Sequence, residues 1–180
     1  MVTAVDSADI ETPRLRLTSI TTEALEMLLD GDVAGASQIQ GSVFSEHFLA
    51  SVNEAFLRIH LEGLRRHPSA PGWFVRAITR KDNSLIVGHC GFHGAPKDIG
   101  RAEIGYTIFP PYRRFGYGAE SAQGLIDWAR SQRVAAVVAA VSVTNVASIA
   151  LVTKLGFRSS SVVMTPSGDE ELVFELPLAE

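Results

Sequence analysis

The stretch Glu103-Ile-Gly-Tyr-Thr-Ile108-Phe-Pro-Pro-Tyr-Arg113-Arg-Phe-Gly116-Tyr-Gly118-Ala119-Glu120 constrains this chain more than any other. Its first part, 102–109, is apolar and rich in Ile and Tyr, which predicts a β-strand, and Pro110 and Pro111 stop it. From about Gly118 the spacing of Leu125, Ile126, Trp128 and Ala129 is helical. Between the two lies a basic turn. Unpaired N–H groups and the positive end of the helix dipole converge there, Gly116 and Gly118 let the backbone approach an anion without a Cβ in the way, and Arg113 and Arg114 add charge. That layout predicts a pyrophosphate site at the end of a strand.

The kind of phosphate ligand depends on what else the turn carries. No Lys-Ser/Thr pair follows at the spacing a nucleoside-triphosphate loop requires. A dinucleotide fingerprint also fails, because its third Gly position is held by Ser121. What remains is Arg113-x-x-Gly116-x-Gly118, which alone is also compatible with an ordinary left-handed turn. About thirty residues on comes Asn145-Val-Ala-Ser148-Ile-Ala-Leu-Val-Thr-Lys154-Leu-Gly156-Phe157, behind a β-type run over 134–143. By itself it is a well-made helix, with Asn145 as N-cap and Gly156 in the C-terminal left-handed position.

Together the two segments resemble the GNAT superfamily of acyl-CoA-dependent N-acyltransferases. The resemblance covers most of the chain. Its opening Glu11-Thr-Pro-Arg14-Leu-Arg16-Leu-Thr18 is similar to the first strand of the RimJ/RimL-like branch of ribosomal-protein N-terminal acetyltransferases. The resemblance implies acetyl-CoA as cosubstrate. It implies that the turn, with Arg113, Arg114, Phe115, Gly116, Tyr117, Gly118 and Ala119, holds the pyrophosphate, and that the backbone of Tyr106, Thr107 and Ile108 bonds the pantetheine amides. Asn145 is implied to contact the pantetheine arm, and Lys154 belongs to the same cofactor-side motif.

Composition sets the bounds. Hydrophobic residues make up 46% of the 180 and charged ones 20%, enough for one core and too apolar for disorder, so a single domain over 1–180 is expected. No apolar run approaches the ~20 residues of a membrane span. Residues 1–9 hold two acids and neither a basic cluster nor an apolar centre, unlike a secretory signal, so a cytoplasmic protein without a membrane partner is expected. The net charge of −4 argues against nucleic acid and suits an amine substrate. The single Cys90 cannot pair within the chain and reads as an inert buried thiol.

The patterning predicts strand 15–19, helix 22–30, a looser glycine-containing stretch to Ser51, helix 52–67 and a break at 68–72. Strands 73–79 and 85–92 follow as a hairpin, then a connection over 94–101, strand 102–109, helix 118–132, strand 134–143, helix 146–155, and strands 157–164 and 171–176 around 166–169. Two β-helix-β connections imply parallel neighbours and the hairpins antiparallel ones, so the sheet is mixed α/β. The resemblance makes it a mostly antiparallel central sheet with a parallel, splayed strand pair and flanking helices.

Acetyl transfer to an amine needs a neutral amine, a polarised carbonyl and a stabilised leaving thiolate. Glu103, on the strand face shared with Gly105 and Thr107, is placed to act as base directly or through water. Its other reading is a surface residue paired with Arg101. Many GNAT members carry a Tyr seven residues after the helix-start Asn, and Val152 stands there instead. Ser148 resembles the Ser that the Rim-like branch shows, with capping at N3 as the alternative, and Tyr106 is a further candidate donor, whose strand position favours core packing or a pocket wall. His89 and His93 share a strand face roughly 13 Å apart, too far for a shared ion, so no metal is expected. Phe44, His47, Phe48 and Trp73 are candidate pocket walls or simply core. These readings converge on direct acetyl transfer to a primary amine, a protein N-terminus or a small molecule. The alternative is an acyl-CoA-binding sensor or structural module without turnover; a homodimer stays open.

Overall fold

The computed structural model describes residues 9–96 and 100–178. The N-terminal stretch read against a secretory signal lies, apart from Asp9, outside them, as does part of the 94–101 connection. The described chain runs β1 (Ile10–Glu11), β2 (Leu15–Ser19), α1 (Thr22–Leu29), α2 (Val33–Gln40), α3 (Glu46–Ser51), α4 (Glu54–Arg66), β3 (Val75–Arg80), β4 (Ile86–Phe92), β5 (Arg101–Ile108), α5 (Tyr117–Ser131), β6 (Ala136–Ser142), α6 (Val146–Lys154), β7 (Arg158–Met164) and β8 (Glu170–Pro177). The strands form one sheet in the order β1-β2-β3-β4-β5-β6-β8-β7, with β5 and β6 parallel and every other neighbouring pair antiparallel. None of the described helices is long and apolar enough to cross a membrane.

Two expectations need correction. The stretch to Ser51 contains α2 and α3. Its apolar periodicity is weak, but Asp32 accepts a hydrogen bond from Gly35 N at 2.8 Å and so starts α2. The second β-helix-β connection does not give neighbouring strands, because β8 folds back from β7 and inserts between β7 and β6.

Alternation along β4 assigns the two faces. Phe92 packs with Trp73 and with Trp128 of α5 on one face, ring centroids 4.8 and 5.3 Å away. His89 meets Phe48 of α3 and Phe56 of α4 on the other. The N-terminal helices thus cover one side of the sheet and α5 the other. α4 presents Leu57, Leu61 and Leu64 inward at i, i+4 and i+7.

Gly63 brings α4 close to the sheet, since a Cβ there would lie 2.3 Å from the buried Phe74 ring. Ala in place of Gly gains about 1 kcal/mol of helix propensity, while forcing an aromatic ring aside in a packed core costs about 1–3 kcal/mol. Gly63→Ala is therefore expected to lower stability by about 1 kcal/mol net, seen as a lower urea midpoint at unchanged slope. A raised midpoint would mean that propensity wins and the ring yields freely.

Candidate active site

β5 and β6 pair only from Arg101/Ala136 to Glu103/Val138, although β5 runs on to Ile108 and β6 to Ser142. Beyond that point they splay. The antiparallel ladder alternates: His93 N donates to Glu103 O and Phe109 N to Val87 O, so the odd-numbered residues of β5 bond to β4. Tyr106 and Ile108 therefore turn their backbone groups into the gap. Val143 N to Glu170 O and Leu178 N to Ala135 O set the same alternation on β6 and leave Ala140 facing the gap. Thr107 is a correction, since its backbone belongs to the β4 ladder opposite His89, and only its side chain reaches the cleft. The Ile108 carbonyl accepts from Arg113 Nε at 3.0 Å.

This gap is a cleft of about 370 Å³ lined from both faces of the sheet. On the α6 side stand Tyr106, Asn145 and Ser148. Asn145 Oδ1 accepts from Ser148 N at 3.1 Å, so Asn145 is the helix cap, with Ser148 at N3. The Tyr106 hydroxyl is buried without a hydrogen bond of normal geometry, close to the Ser148 hydroxyl; burial raises its pKa and Ser148 opposes that. Val152 is fully buried, so position 152 faces the core and presents nothing to the cleft.

On the α4 side the lining includes Phe56, His60, His89 and His93. Of the two readings of Phe44, Phe48 and Trp73, wall or core, burial supports the core, and His47 packs edge-on to Tyr112. Phe56 sits between His60 and His89, ring centroids 4.5 and 4.8 Å away. Burial, aided by the nearby His93 for His60 and by His60 for His89, holds both imidazoles at about 4, hence neutral at pH 7. Glu103 does not pair with Arg101, which reaches Glu175 at 3.1 Å. Its Oε1 lies 3.0 Å from His93 Nδ1; that hydrogen bond lowers the Glu103 pKa and raises that of His93. The sequence reading missed His93. The signal was the β4–β5 register, which places His93 opposite Glu103, and the intervening loop concealed it. Cys90 also lines the cleft, its thiol pushed by burial to about 12.

The turn lies at one end of the gap. The left-handed residue is Gly116 (φ +83°), with Arg114 at +67°. Gly118 is helical, and a Cβ there would meet Leu151 of α6 at 3.2 Å and Ile108 at 3.6 Å, so its smallness serves the approach of α5 to α6 and β5. No side chain caps α5, and Glu120 N makes the first helical bond, to Gly116 O. That leaves the N–H groups of Tyr117, Gly118 and Ala119 for a ligand. The turn is braced from β2's approach: Arg14 Nε and its amide N each donate to Glu120 at 2.7 Å, Thr12 donates at 2.6 Å, and Arg14 also donates to Phe115 O at 2.9 Å. Burial pushes the Glu120 pKa up, but the bonds from Thr12 and Arg14 outweigh it and hold the carboxyl low. Arg14 also lies 4.8 Å over the Tyr117 ring, on which Phe115 stacks. Arg113, Arg114 and Phe115 are exposed, as is Lys154 in the last turn of α6. The turn, Lys154 and Glu103 do not line the cleft; Glu103 reaches it through His93, and Gly118 links the turn to it through Ile108 and Tyr106.

Residues 14–158 match the family model of an acetyltransferase (GNAT) domain. The uncharacterized N-acetyltransferase YjdG of Bacillus subtilis is 34% identical over 149 residues, 82% of this chain and 88% of YjdG. The ribosomal-protein-S5-alanine acetyltransferase of Vibrio fischeri superposes with a TM-score of 0.65 at 15% identity, over 94% of this chain and 96% of that one. Microcin C7 self immunity acetyltransferase MccE, solved in complex with acetyl-CoA and AMP, gives 0.66 at 16% identity, over 98% and 99%. At such identities the two structures share the fold.

The neutral imidazoles of the cleft have a measurable consequence. Unfolded, His60 and His89 take up protons near 6.5, whereas the folded protein refuses them until about 4. Stability is therefore full above 6.5 and falls as pH drops toward 4, by up to about 1.4 kcal/mol per pH unit for each group. His89→Gln is expected to reduce the drop in melting temperature between pH 7.5 and 5. An unchanged drop in that variant would assign the acid sensitivity elsewhere.

Proposed function

The chain belongs to the GNAT acetyltransferase family, and from that premise we propose that it passes the acetyl group of acetyl-CoA directly to a primary amine, without a covalent enzyme intermediate. The observation that carries the reading is the gap-facing backbone of Tyr106, Ile108 and Ala140, of which Arg113 serves only the Ile108 carbonyl, bordering a gap that opens on both faces of the sheet with the uncapped N-terminus of α5 at one end. An extended chain with amide groups fits between such edges as an added strand does. Acetyl-CoA, when bound, supplies the activated thioester.

The N–H groups of 117–119, with Arg113 and Arg114, would hold the pyrophosphate, with Phe115 and Lys154 at the outer margin. Asn145 spends its oxygen on the helix cap and keeps its amide NH₂ for the pantetheine arm. The buried, unpartnered Tyr106 hydroxyl and the Ser148 hydroxyl beside it would donate toward the sulfur as it gains charge. On the α4 side the Glu103–His93 pair would supply the basicity. Among the described residues lining the cleft none is Lys or Arg, while Glu171 is one of them. This favours an acceptor amine without an adjacent carboxylate, such as a protein N-terminus or a small-molecule amine. Ser148 and the fold shared with the Vibrio fischeri enzyme support the RimJ/RimL-like branch. A lone, buried cysteine is compatible with a reducing, cytoplasmic setting. The second reading, an acyl-CoA-binding module without turnover, draws on the absence of a hydroxyl at the core-facing Val152.

The test is release of free thiol from acetyl-CoA with hexapeptides beginning in Ala or Ser, with benzylamine and with spermidine. Turnover of at least one is expected. CoA binding with none turned over would favour the binding module. Ser148→Ala should lower kcat by roughly tenfold to a hundredfold, about 1.4–2.8 kcal/mol, with the acetyl-CoA Kd and the melting temperature nearly unchanged, because Asn145 caps the helix. Normal turnover in that variant would remove Ser148 from the chemistry.

A further inference from the structure

Resting on the function proposed above, we propose that His93, held in place by Glu103, is the group that takes the proton from the acceptor amine. Glu103 Oε1 stands 3.0 Å from His93 Nδ1. With Nδ1–H donated to the carboxylate, the lone pair of the neutral ring sits on Nε2, and the second nitrogen is free to accept a proton. The ring extends over β5, because a Cβ on Gly105 would lie 3.0 Å from Nε2. Gly105 leaves the space this position of the ring requires, and both residues line the cleft.

The division of labour follows from basicity. An aliphatic ammonium has a pKa of about 10, and a general base works best when its own pKa approaches the working pH. The hydrogen bond from His93 holds Glu103 below the usual carboxylate range, which makes it a weak acceptor. The same bond, with the charges of Glu103 and Glu171, raises His93. The charged and titratable groups that act on His93 or feel it are Glu103 from β5, Glu171 from β8 and His60 from α4; His60, and His89 beyond it, are neutral at pH 7 and offer no competing charge. In the transfer, the amine nitrogen forms its bond to the carbonyl carbon of the acetyl thioester and gives its proton to His93 Nε2. The C–S bond breaks with its electron pair on sulfur, and the imidazolium returns the proton to solvent through its exposed edge, the side chain being 60% exposed. Glu103 is thus a positioning residue and His93 the catalytic one.

Two measurements test this. The first is imidazole ¹⁵N NMR of the free protein. His93 is expected to carry its neutral-ring proton on Nδ1 and to titrate above the ordinary value of 6.5, and Glu103→Gln to lower that titration point and mix the tautomers. The second is kcat/KM against pH with acetyl-CoA and whichever of the four named amines is turned over. His93→Gln should lose roughly a hundredfold at pH 7 and recover as pH rises and the amine deprotonates unaided; Glu103→Gln should lose roughly tenfold and shift its acid limb to lower pH. Full activity in His93→Gln while the wild type turns over, or a His93 titration indifferent to Glu103→Gln, overturns the assignment and leaves acetyl transfer standing. Absence of turnover in the wild type overturns the function proposed above, and the role of His93 with it.

Discussion

Everything distinctive about the candidate site follows from one interruption in a hydrogen-bond ladder. β5 and β6 pair over three residues and then part. Each is held on its far side by an antiparallel partner, β5 by β4 and β6 by β8, so neither can bend back to close the gap without giving up an existing ladder. A backbone group left unpaired and dry costs about 1–3 kcal/mol. The gap stays tolerable because it is open to water, and because Arg113 already serves the Ile108 carbonyl. A protein that leaves such groups unpaired retains a strip of donors and acceptors at a fixed spacing.

The chemistry is arranged around that strip by charge as much as by shape. At the turn, Glu120 collects bonds from Thr12 and Arg14, and this ties the start of α5 to the segment before β2, over a hundred residues earlier in the chain. The carboxylate is occupied, so it does not oppose an anion at the N–H groups beside it. At the other end, the Glu103–His93 pair sits next to two imidazoles that burial keeps neutral. The acidic Glu103–His93 pair and the uncapped, arginine-bearing turn thus belong to separate regions of the candidate site.

Much of the fold was legible because its signals are local. The strand, proline stop, basic turn and helix of 102–132 show in residue types alone, and so do Asn145 as a cap and the left-handed Gly156. What escaped depended on distant contacts. α2 has too little apolar periodicity to announce itself and is set by the Asp32 cap and by packing against α1. The insertion of β8 beside β6 is a matter of pairing order, which no stretch of sequence encodes by itself. Within the candidate site, Glu103 was named from its strand position and Ser148 from the family resemblance, whereas His93 as the partner of Glu103 required the register between β4 and β5. For Phe44, Phe48 and Trp73 the sequence left pocket wall and core both open, since composition does not distinguish them, and burial decides for the core.

The state of Cys90 bears on how the protein meets the redox life of a cell. Its sulfur borders the cleft yet is only 2% exposed, and burial lifts the thiol to about 12. At pH 7 the sulfur is then held in its protonated form. Peroxides, electrophiles and mixed disulfides act on the thiolate, so oxidative stress finds almost nothing to modify beside the gap. A thiol kept protonated in this way also stays out of exchange with any free thiol that enters the cleft.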